Sequence, residues 1–284
     1  MEIIKSIVLG LIQGLTEFFP VSSSGHLVIF PYFFKWEAPS IFFAVTLHFA
    51  TLIALVTVLY KEIWLIIKNF FAGIFIKKYR KDRNFKLAVY IIISSIPAAL
   101  AGYLLNDYIE SFFSKPVYVA FFLLITAAIL IAFEYIGRKN EEKNAAKNDN
   151  SRKINWLVAL FVGIGQAVAI LPGISRSGVT ISSARIFGVK REEAVRFSFL
   201  ISIPVIFGSF VFEFAKSVKN SDVLISHNLI SIISVILGFV FAYLSGLIAI
   251  KFLTKFSAKR NLNIFAVYCI LLAITFFIVY FIRK

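Results

Sequence analysis

Apolar residues in this chain neither alternate with polar ones nor form a stripe at helical spacing. They come as long, nearly unbroken runs. A helix that crosses a membrane needs about 20 mostly apolar residues, and six stretches meet that length: 40–60, 86–105, 116–136, 193–213, 228–253 and 262–282. Two further apolar stretches, 3–35 and 154–187, are interrupted midway. Pro20, Ser22, Ser23, Ser24 and Gly25 break the first; Pro172, Gly173, Ser175, Arg176, Ser177 and Gly178 break the second. Polar, Gly/Pro-rich backbone at membrane depth is tolerated only where it is buried in protein or lines a cavity. These two stretches are therefore expected to be re-entrant helix hairpins.

A shift of 153 residues superposes the two hairpins without a gap. Gly10 falls on Gly163, Gln13 on Gln166, Ser22 on Ser175, Ser24 on Ser177 and Gly25 on Gly178. Each copy is followed by three of the six spans, and an odd number of crossings turns the second copy upside down relative to the first. The expected fold is thus an all-α polytopic membrane protein built as an inverted-topology repeat. Residues 1–136 form the first repeat, 137–153 a polar cytoplasmic linker and 154–284 the second repeat.

Composition agrees. Of 284 residues, 60% are hydrophobic and 16% charged, against roughly 45–50% apolar in soluble domains, which excludes an ordinary soluble domain and a disordered chain alike. No A-x-A cleavage pattern follows the first apolar stretch, so no cleaved signal is expected. The single cysteine, Cys269, lies within a span and permits neither an intramolecular disulfide nor a Cys-based zinc site.

Charge then orients the spans. The chain carries 30 Lys and Arg against 15 Asp and Glu, a net +15. Residues 61–86 hold eight basic and two acidic side chains, 137–153 six and three, and 251–260 four and none. The intervening loops 106–115 and 214–227 are nearly neutral. Basic loops favour the cytoplasmic side, so the first hairpin is expected to enter from outside and the second from the cytoplasm; the Arg283-Lys284 tail, left outside, runs against the pattern. Basic residues beside apolar spans have anionic lipid as their nearest partner, not nucleic acid. Residues 62–78 read as a helix lying on the inner surface, and Tyr60, Trp64, Tyr135 and Trp156 as interfacial anchors.

The first hairpin reads QGLTEFFPVSSSGHL, with Gln13 and Glu17 four apart on one helix face and His26 just past the serines. The second reads LPGISRSGVT, with Arg176 between two hydroxyls and Thr180 beyond. A charge at mid-membrane costs about 2.5–3.5 kcal/mol on insertion scales and demands a partner or water. Bringing the hairpins together would pair these groups. Arginine offers a charged fork suited to phosphate, helix N-termini past the breaks favour an anion, and Glu17 with His26 could move protons beside a serine nucleophile. The plain alternatives stay open: close packing for the small residues, snorkelling for Arg176, and a purely structural ion pair with Arg176 for Glu17. His48, in a span with Thr46 and Thr51, reads as packing and His227 as a loop residue. Arg185, Arg191 and Arg196 with Glu192 and Glu193 read as a solvated helix entrance.

The pair QGLTEFFPVSSSGH and PGISRSGVT resembles the two signatures of the undecaprenyl-diphosphatase family, the bacitracin-resistance membrane phosphatases, and the likeness covers the whole chain. The resemblance implies an enzyme of the bacterial inner (cytoplasmic) membrane that hydrolyses undecaprenyl diphosphate to the monophosphate and phosphate. That reaction recycles the lipid carrier for peptidoglycan synthesis, at a site open to the periplasmic or outer face. It implies catalytic roles for Glu17, His26 and Ser23, and substrate binding by Arg176, Ser175, Ser177, Thr180 and Gly173 with Gln13, Ser22 and Ser24. A Mg²⁺ or Ca²⁺ ion held mainly by the diphosphate and Glu17 is also implied, although Gln13 leaves the first motif with one carboxylate. The prenyl diphosphate and anionic membrane lipids are the expected partners, a homodimer is left open, and which oxygen attacks is not fixed by sequence. The alternative class is a transporter or flippase of a lipid phosphate, since broken helices in inverted repeats also mark carriers.

Overall fold

The computed structural model describes residues 2–146, 153–219, 229–257 and 261–284. His227 and the loop charges at 147–152, 220–228 and 258–260 lie outside them. Eleven α-helices and no strand occur among the described residues: α1 (Glu2–Phe18), α2 (Ser23–Phe34), α3 (Ile41–Phe75), α4 (Arg83–Leu104), α5 (Asn106–Phe113), α6 (Pro116–Ala146), α7 (Trp156–Val168), α8 (Arg176–Ile186), α9 (Arg191–Lys219), α10 (Leu229–Ser257) and α11 (Asn263–Arg283). Six of them, α3, α4, α6, α9, α10 and α11, are long and apolar enough to cross a membrane. They coincide with the six apolar runs. Large apolar side chains such as Leu100, Phe121, Ile248, Leu271 and Ile278 stand exposed along these helices, a surface that suits lipid and not water.

Two boundaries extend ten residues or more beyond the apolar runs. The first span does not stop at Tyr60: α3 continues to Phe75 through a bend at Leu59 (φ −104°, ψ 15°), and a short 3₁₀ turn, Lys77–Lys81, follows. The surface segment is thus a continuation of the span, because Lys61 and Glu62 are helix-compatible and Glu62 is held by Arg196 Nε at 2.6 Å. Likewise α6 runs ten residues past Ile136 into the polar linker, where an Arg138–Glu142 pair one turn apart supports the helix.

Both interrupted stretches form two short helices packed on each other, α1 on α2 and α7 on α8. Their first helices exchange partners across the molecule: α1 lies along α10 and α7 along α4. Both crossings depend on a glycine. A Cβ on Gly10 would run into the Gly238 carbonyl, and one on Gly163 would stand 2.7 Å from the Ser94 carbonyl oxygen, so only glycine lets these backbones meet. The second helices are gripped from the side, α8 by α6 and α2 by α6 and α11. This brings the two breaks face to face in the middle of the bundle.

Candidate active site

Each break is shaped by its own serines and braced by the other break. Ser22 is the N-cap of α2, its Oγ accepting the Gly25 N–H at 3.2 Å, and Ser175 caps α8 in the same way from Gly178 at 3.1 Å. Ser22 Oγ also accepts the N–H of Gly173 at 3.1 Å, while Ser177 Oγ donates to the Phe19 carbonyl at 2.9 Å. Gly173 holds φ +105°, a left-handed conformation that suits glycine, with Val119 and Phe122 of α6 packed where a Cβ would project. Thr126 of α6 closes the second break, donating to the Gly173 carbonyl and accepting the Ser175 N–H, both at 2.9 Å.

Capping by Ser22 and Ser175 makes Ser23 and Arg176 the first residues of α2 and α8. Both reach the same carboxylate. Arg176 Nη2 donates to Glu17 Oε1 at 2.7 Å, and Ser23 Oγ donates to Glu17 Oε2 at 2.6 Å. Gln13 Nε2, one turn earlier on α1, adds a third bond to Oε2 at 2.8 Å. The second nitrogen of the Arg176 fork, Nη1, rests on the Ser198 carbonyl of α9 at 3.3 Å. The side chains of Glu17 and Arg176 are 5% and 15% exposed, so the ion pair is nearly sealed and draws the negative group between two helix N-termini.

The two histidines are placed differently from expectation. His26, expected beside Glu17, has no bond to it among the described residues. His26 Nδ1 donates to the Ser22 carbonyl and Nε2 accepts from the Tyr268 hydroxyl, each at 2.7 Å, and the two rings stack. One turn beyond Ser23, α2 carries His26 towards α11, where both ring nitrogens are spent. The histidine that meets Glu17 is His48 of α3, with Nε2 3.4 Å from Oε2. Its Nδ1 donates to the Ala44 carbonyl at 2.8 Å, which leaves Nε2 turned to the carboxylate. Sequence reading passed over His48; the signal available was an ionisable side chain inside a span, which is rarely idle.

Several expected substrate ligands bond within the scaffold. Ser175, Ser177 and Thr180 are buried, and Thr180 Oγ1 bonds to the Arg176 carbonyl and to Ser198 Oγ. Ser24, half-buried, meets Ser22 Oγ at 3.3 Å. The presumed solvated entrance at Arg185 and Arg191 is also overturned. Arg185 is 1% exposed and donates to Glu141, and Arg191 donates to Glu134. Their partners come from the C-terminal part of α6; Glu141 lies in its helical extension, Arg185 is sealed from solvent, and Arg191 is left 21% exposed.

No group of three His, Cys, Asp or Glu stands together among the described residues. The α1 residues nonetheless suit a hard cation. Gln13 Oε1 is buried without a hydrogen-bond partner, one turn from the Glu17 carboxylate, and Mg²⁺ and Ca²⁺ take oxygen ligands.

The bacitracin resistance protein BacA family model matches residues 6–275, which take in both helix breaks, five whole spans and the first part of the sixth. The chain belongs to this family. Among curated relatives, the undecaprenyl-diphosphatase of Thermosipho africanus is 43% identical, the match covering 96% of this chain and 98% of the relative. The undecaprenyl-diphosphatase of Korarchaeum cryptofilum is 37% identical over 96% and 98%. That of Moorella thermoacetica is 35% identical over the whole length of both chains. Family membership therefore spans the full architecture, and Glu17, Ser23 and Arg176 all lie within the matched region.

Proposed function

We propose that this chain is an integral membrane phosphatase that hydrolyses undecaprenyl diphosphate to undecaprenyl phosphate and inorganic phosphate, recycling the lipid carrier for peptidoglycan synthesis and conferring bacitracin resistance. The observation that carries the reading is the convergence of Ser23, Glu17 and Arg176. A hydroxyl sits in hydrogen-bond reach of a base, the base is oriented by Gln13, and a guanidinium stands beside both, which is the arrangement of an activated nucleophile. Phosphoryl transfer asks for little beyond such positioning and charge neutralisation.

In this mechanism the diphosphate displaces Glu17 from Arg176, whose fork and the α2 and α8 N-termini hold the terminal phosphate. Ser23 Oγ forms a bond to that phosphorus as its proton passes to Glu17, and the bridging anhydride bond breaks to release the prenyl monophosphate. Once the first proton has passed from Glu17 to His48, water attacks the phosphorus of the phosphoserine and gives its proton to Glu17. Glu17 returns it to Ser23 Oγ as the P–Oγ bond breaks, and phosphate leaves. His48 exchanges the proton with Glu17. A divalent cation, held by Glu17 and Gln13 Oε1, would neutralise diphosphate charge. The prenyl tail lies along an apolar groove of about 500 Å³ between α3 and α9, lined by Phe49, Leu52, Ile53, Val56, Ile203 and Phe207. Phe49, which lines it, follows His48 in α3.

We infer further that the halves are inverted repeats, a reading supported by the exchange of α1 and α7 between α10 and α4. The basic loops face the cytoplasm and the site opens to the outer face of the cytoplasmic membrane.

The test is phosphate release from undecaprenyl diphosphate by the purified protein, followed by mass spectrometry of a slowed His48→Ala variant. A phosphoryl group on the Ser23 peptide, absent in Ser23→Ala, is the expected result. Undiminished turnover by Ser23→Ala would transfer the attack to water. Tight lipid binding with no release by the wild type would make the protein a carrier.

A further inference from the structure

Arg185 lies nine residues beyond Arg176 on α8, about 14 Å along the axis at a rise of 1.5 Å per residue. Here the chain forms a second, partly open cavity that the phosphatase reading does not use. Its volume is about 560 Å³, and its walls include Glu134, Tyr135 and Arg138 of α6, Arg185, Arg191 and Asn263. The size falls in the range of about 300–1,000 Å³ typical of small-molecule sites.

Unpaired groups on the wall define what the cavity would take. Arg185 is 1% exposed, and its guanidinium donates through Nη1 to Glu141 at 2.9 Å and to the Val189 carbonyl at 3.1 Å. Its Nε and Nη2 have no hydrogen-bond partner, and neither has Nε of Arg191, although Arg191 Nη2 is bonded to Glu134. Three N–H-bearing nitrogens on two cavity-lining guanidinium groups thus lack a hydrogen bond, although Arg185 Nη2 stands 3.9 Å from Glu134 Oε1, and buried donors of this kind are costly unless an acceptor fills them. Asn263 Oδ1 is the one unpaired acceptor among the described lining residues, and the lining carboxylates Glu134, Glu141 and Glu142 are each engaged by an arginine, so the unpaired donors outnumber the unpaired acceptors. The wider field favours an anion as well. Among the described residues, segments 134–153, 185–196 and 251–263 carry ten basic residues against five acidic ones. Exposed Tyr135 and Trp156 mark this end of the bundle as the level of lipid headgroups.

We propose that this cavity is a second anion site, which binds a phosphate group through Arg185 and Arg191 at the end of α8 remote from Glu17. The phosphate comes either from a phosphomonoester lipid headgroup or from free inorganic phosphate. The site is separate from the catalytic one in residues and in position, and it stands or falls without the phosphatase reading.

The experiment titrates full-length Arg176→Ala protein, in which the first site is disabled, with inorganic phosphate by calorimetry in detergent. In parallel, the same protein in nanodiscs is titrated with dioleoyl phosphatidic acid against a phosphatidylcholine background. Wild-type protein is run alongside in case Arg176→Ala does not fold. Saturable binding with one phosphate per Arg176→Ala chain is expected in at least one arm, weakened about tenfold or more by Arg191→Gln. Binding of phosphate itself identifies the free ion; binding confined to phosphatidic acid identifies the headgroup. Asn263→Asp is the second variant: an acidic residue in the first turn of α11 suits the helix dipole and keeps the fold, while its charge repels an anion from the cavity. It too is expected to weaken binding about tenfold. No saturable binding in either arm, or binding indifferent to Arg191→Gln and Asn263→Asp, overturns the proposal and leaves the cluster as an ion-pair clasp between α6 and α8.

Discussion

The two helix breaks are built alike and equipped differently. Ser22 and Ser175 cap their helices, Gly25 and Gly178 supply the capped N–H groups, and each break bonds to the other. Where the copies part, the chemistry begins. Glu17 of the first stands where the second has Ile170, Ser23 where it has Arg176, and His26 where it has Val179. Both glutamines leave Oε1 unpaired and buried, yet only Gln13 has a carboxylate beside it; Gln166 donates to the Ser94 carbonyl. Shared residues thus make the geometry, and differing residues turn a symmetric crossing into one base, one cation and one hydroxyl. A site with identical copies would face like against like and could form no ion pair.

The sharpest way to break this comparison is at its greatest asymmetry. Glu17→Gln removes the base and is expected to lower kcat/KM by about 10³-fold, about 4 kcal/mol of transition-state stabilisation. Ile170→Gln, at the matching position, should change it by no more than about twofold. Both are read from phosphate release on undecaprenyl diphosphate, and equal losses would mean that the copies are not chemically distinct. Next is the exchange of the two N-terminal residues. Arg176→Ser alone should weaken lipid diphosphate binding by about 10²-fold. Adding Ser23→Arg returns a guanidinium to Glu17 from the other helix and should recover most of the binding. Turnover should stay low, because the hydroxyl then sits on the wrong oxygen of the carboxylate. Binding titrations of the two variants decide it.

The shared half of the comparison predicts stability. Ser22 Oγ accepts two backbone N–H groups, Gly25 and Gly173, while Ser175 Oγ accepts one. Ser22→Ala should therefore cost about 2 kcal/mol and Ser175→Ala about 1 kcal/mol. The ranking is checked by thermal unfolding in detergent. Equal shifts would show that the bond between breaks contributes nothing.

The same division explains what could be read from the chain alone. Spans and breaks were legible because they rest on local properties: unbroken hydropathy, and Pro, Ser and Gly where helices cannot continue. The pairing of Glu17 with Arg176 was legible because two uncompensated charges in apolar surroundings must meet. His48 was not, since nothing near it in sequence refers to Glu17, and only the packing of α3 beside α1 joins them. The same holds for His26, whose ring is claimed by Tyr268 of α11, and for Arg185, whose burial depends on α6 running on as a helix to Glu141 instead of ending at the apolar boundary. Contacts between distant helices set these roles, and neither periodicity nor spacing encodes them.

The smallest effect sharpens the comparison at a matched pair of hydroxyls. Ser24 and Ser177 occupy equivalent positions, and each meets its capping serine, at 3.3 and 3.2 Å. Only Ser177 reaches across, to the Phe19 carbonyl, and it is 1% exposed whereas Ser24 is half-buried. Ser177→Ala strips a buried carbonyl of its donor and should cost about 1 kcal/mol, whereas Ser24→Ala leaves Ser22 with its backbone donors and should cost under about 0.5 kcal/mol. Because Phe19 adjoins the helix end that carries Glu17, Ser177→Ala should also loosen the carboxylate and lower kcat several-fold while Ser24→Ala does not. Thermal unfolding and turnover measured on the same preparations test both halves. Loss of stability without loss of kcat in Ser177→Ala would show that the braces between breaks hold the fold but do not set the geometry of Glu17.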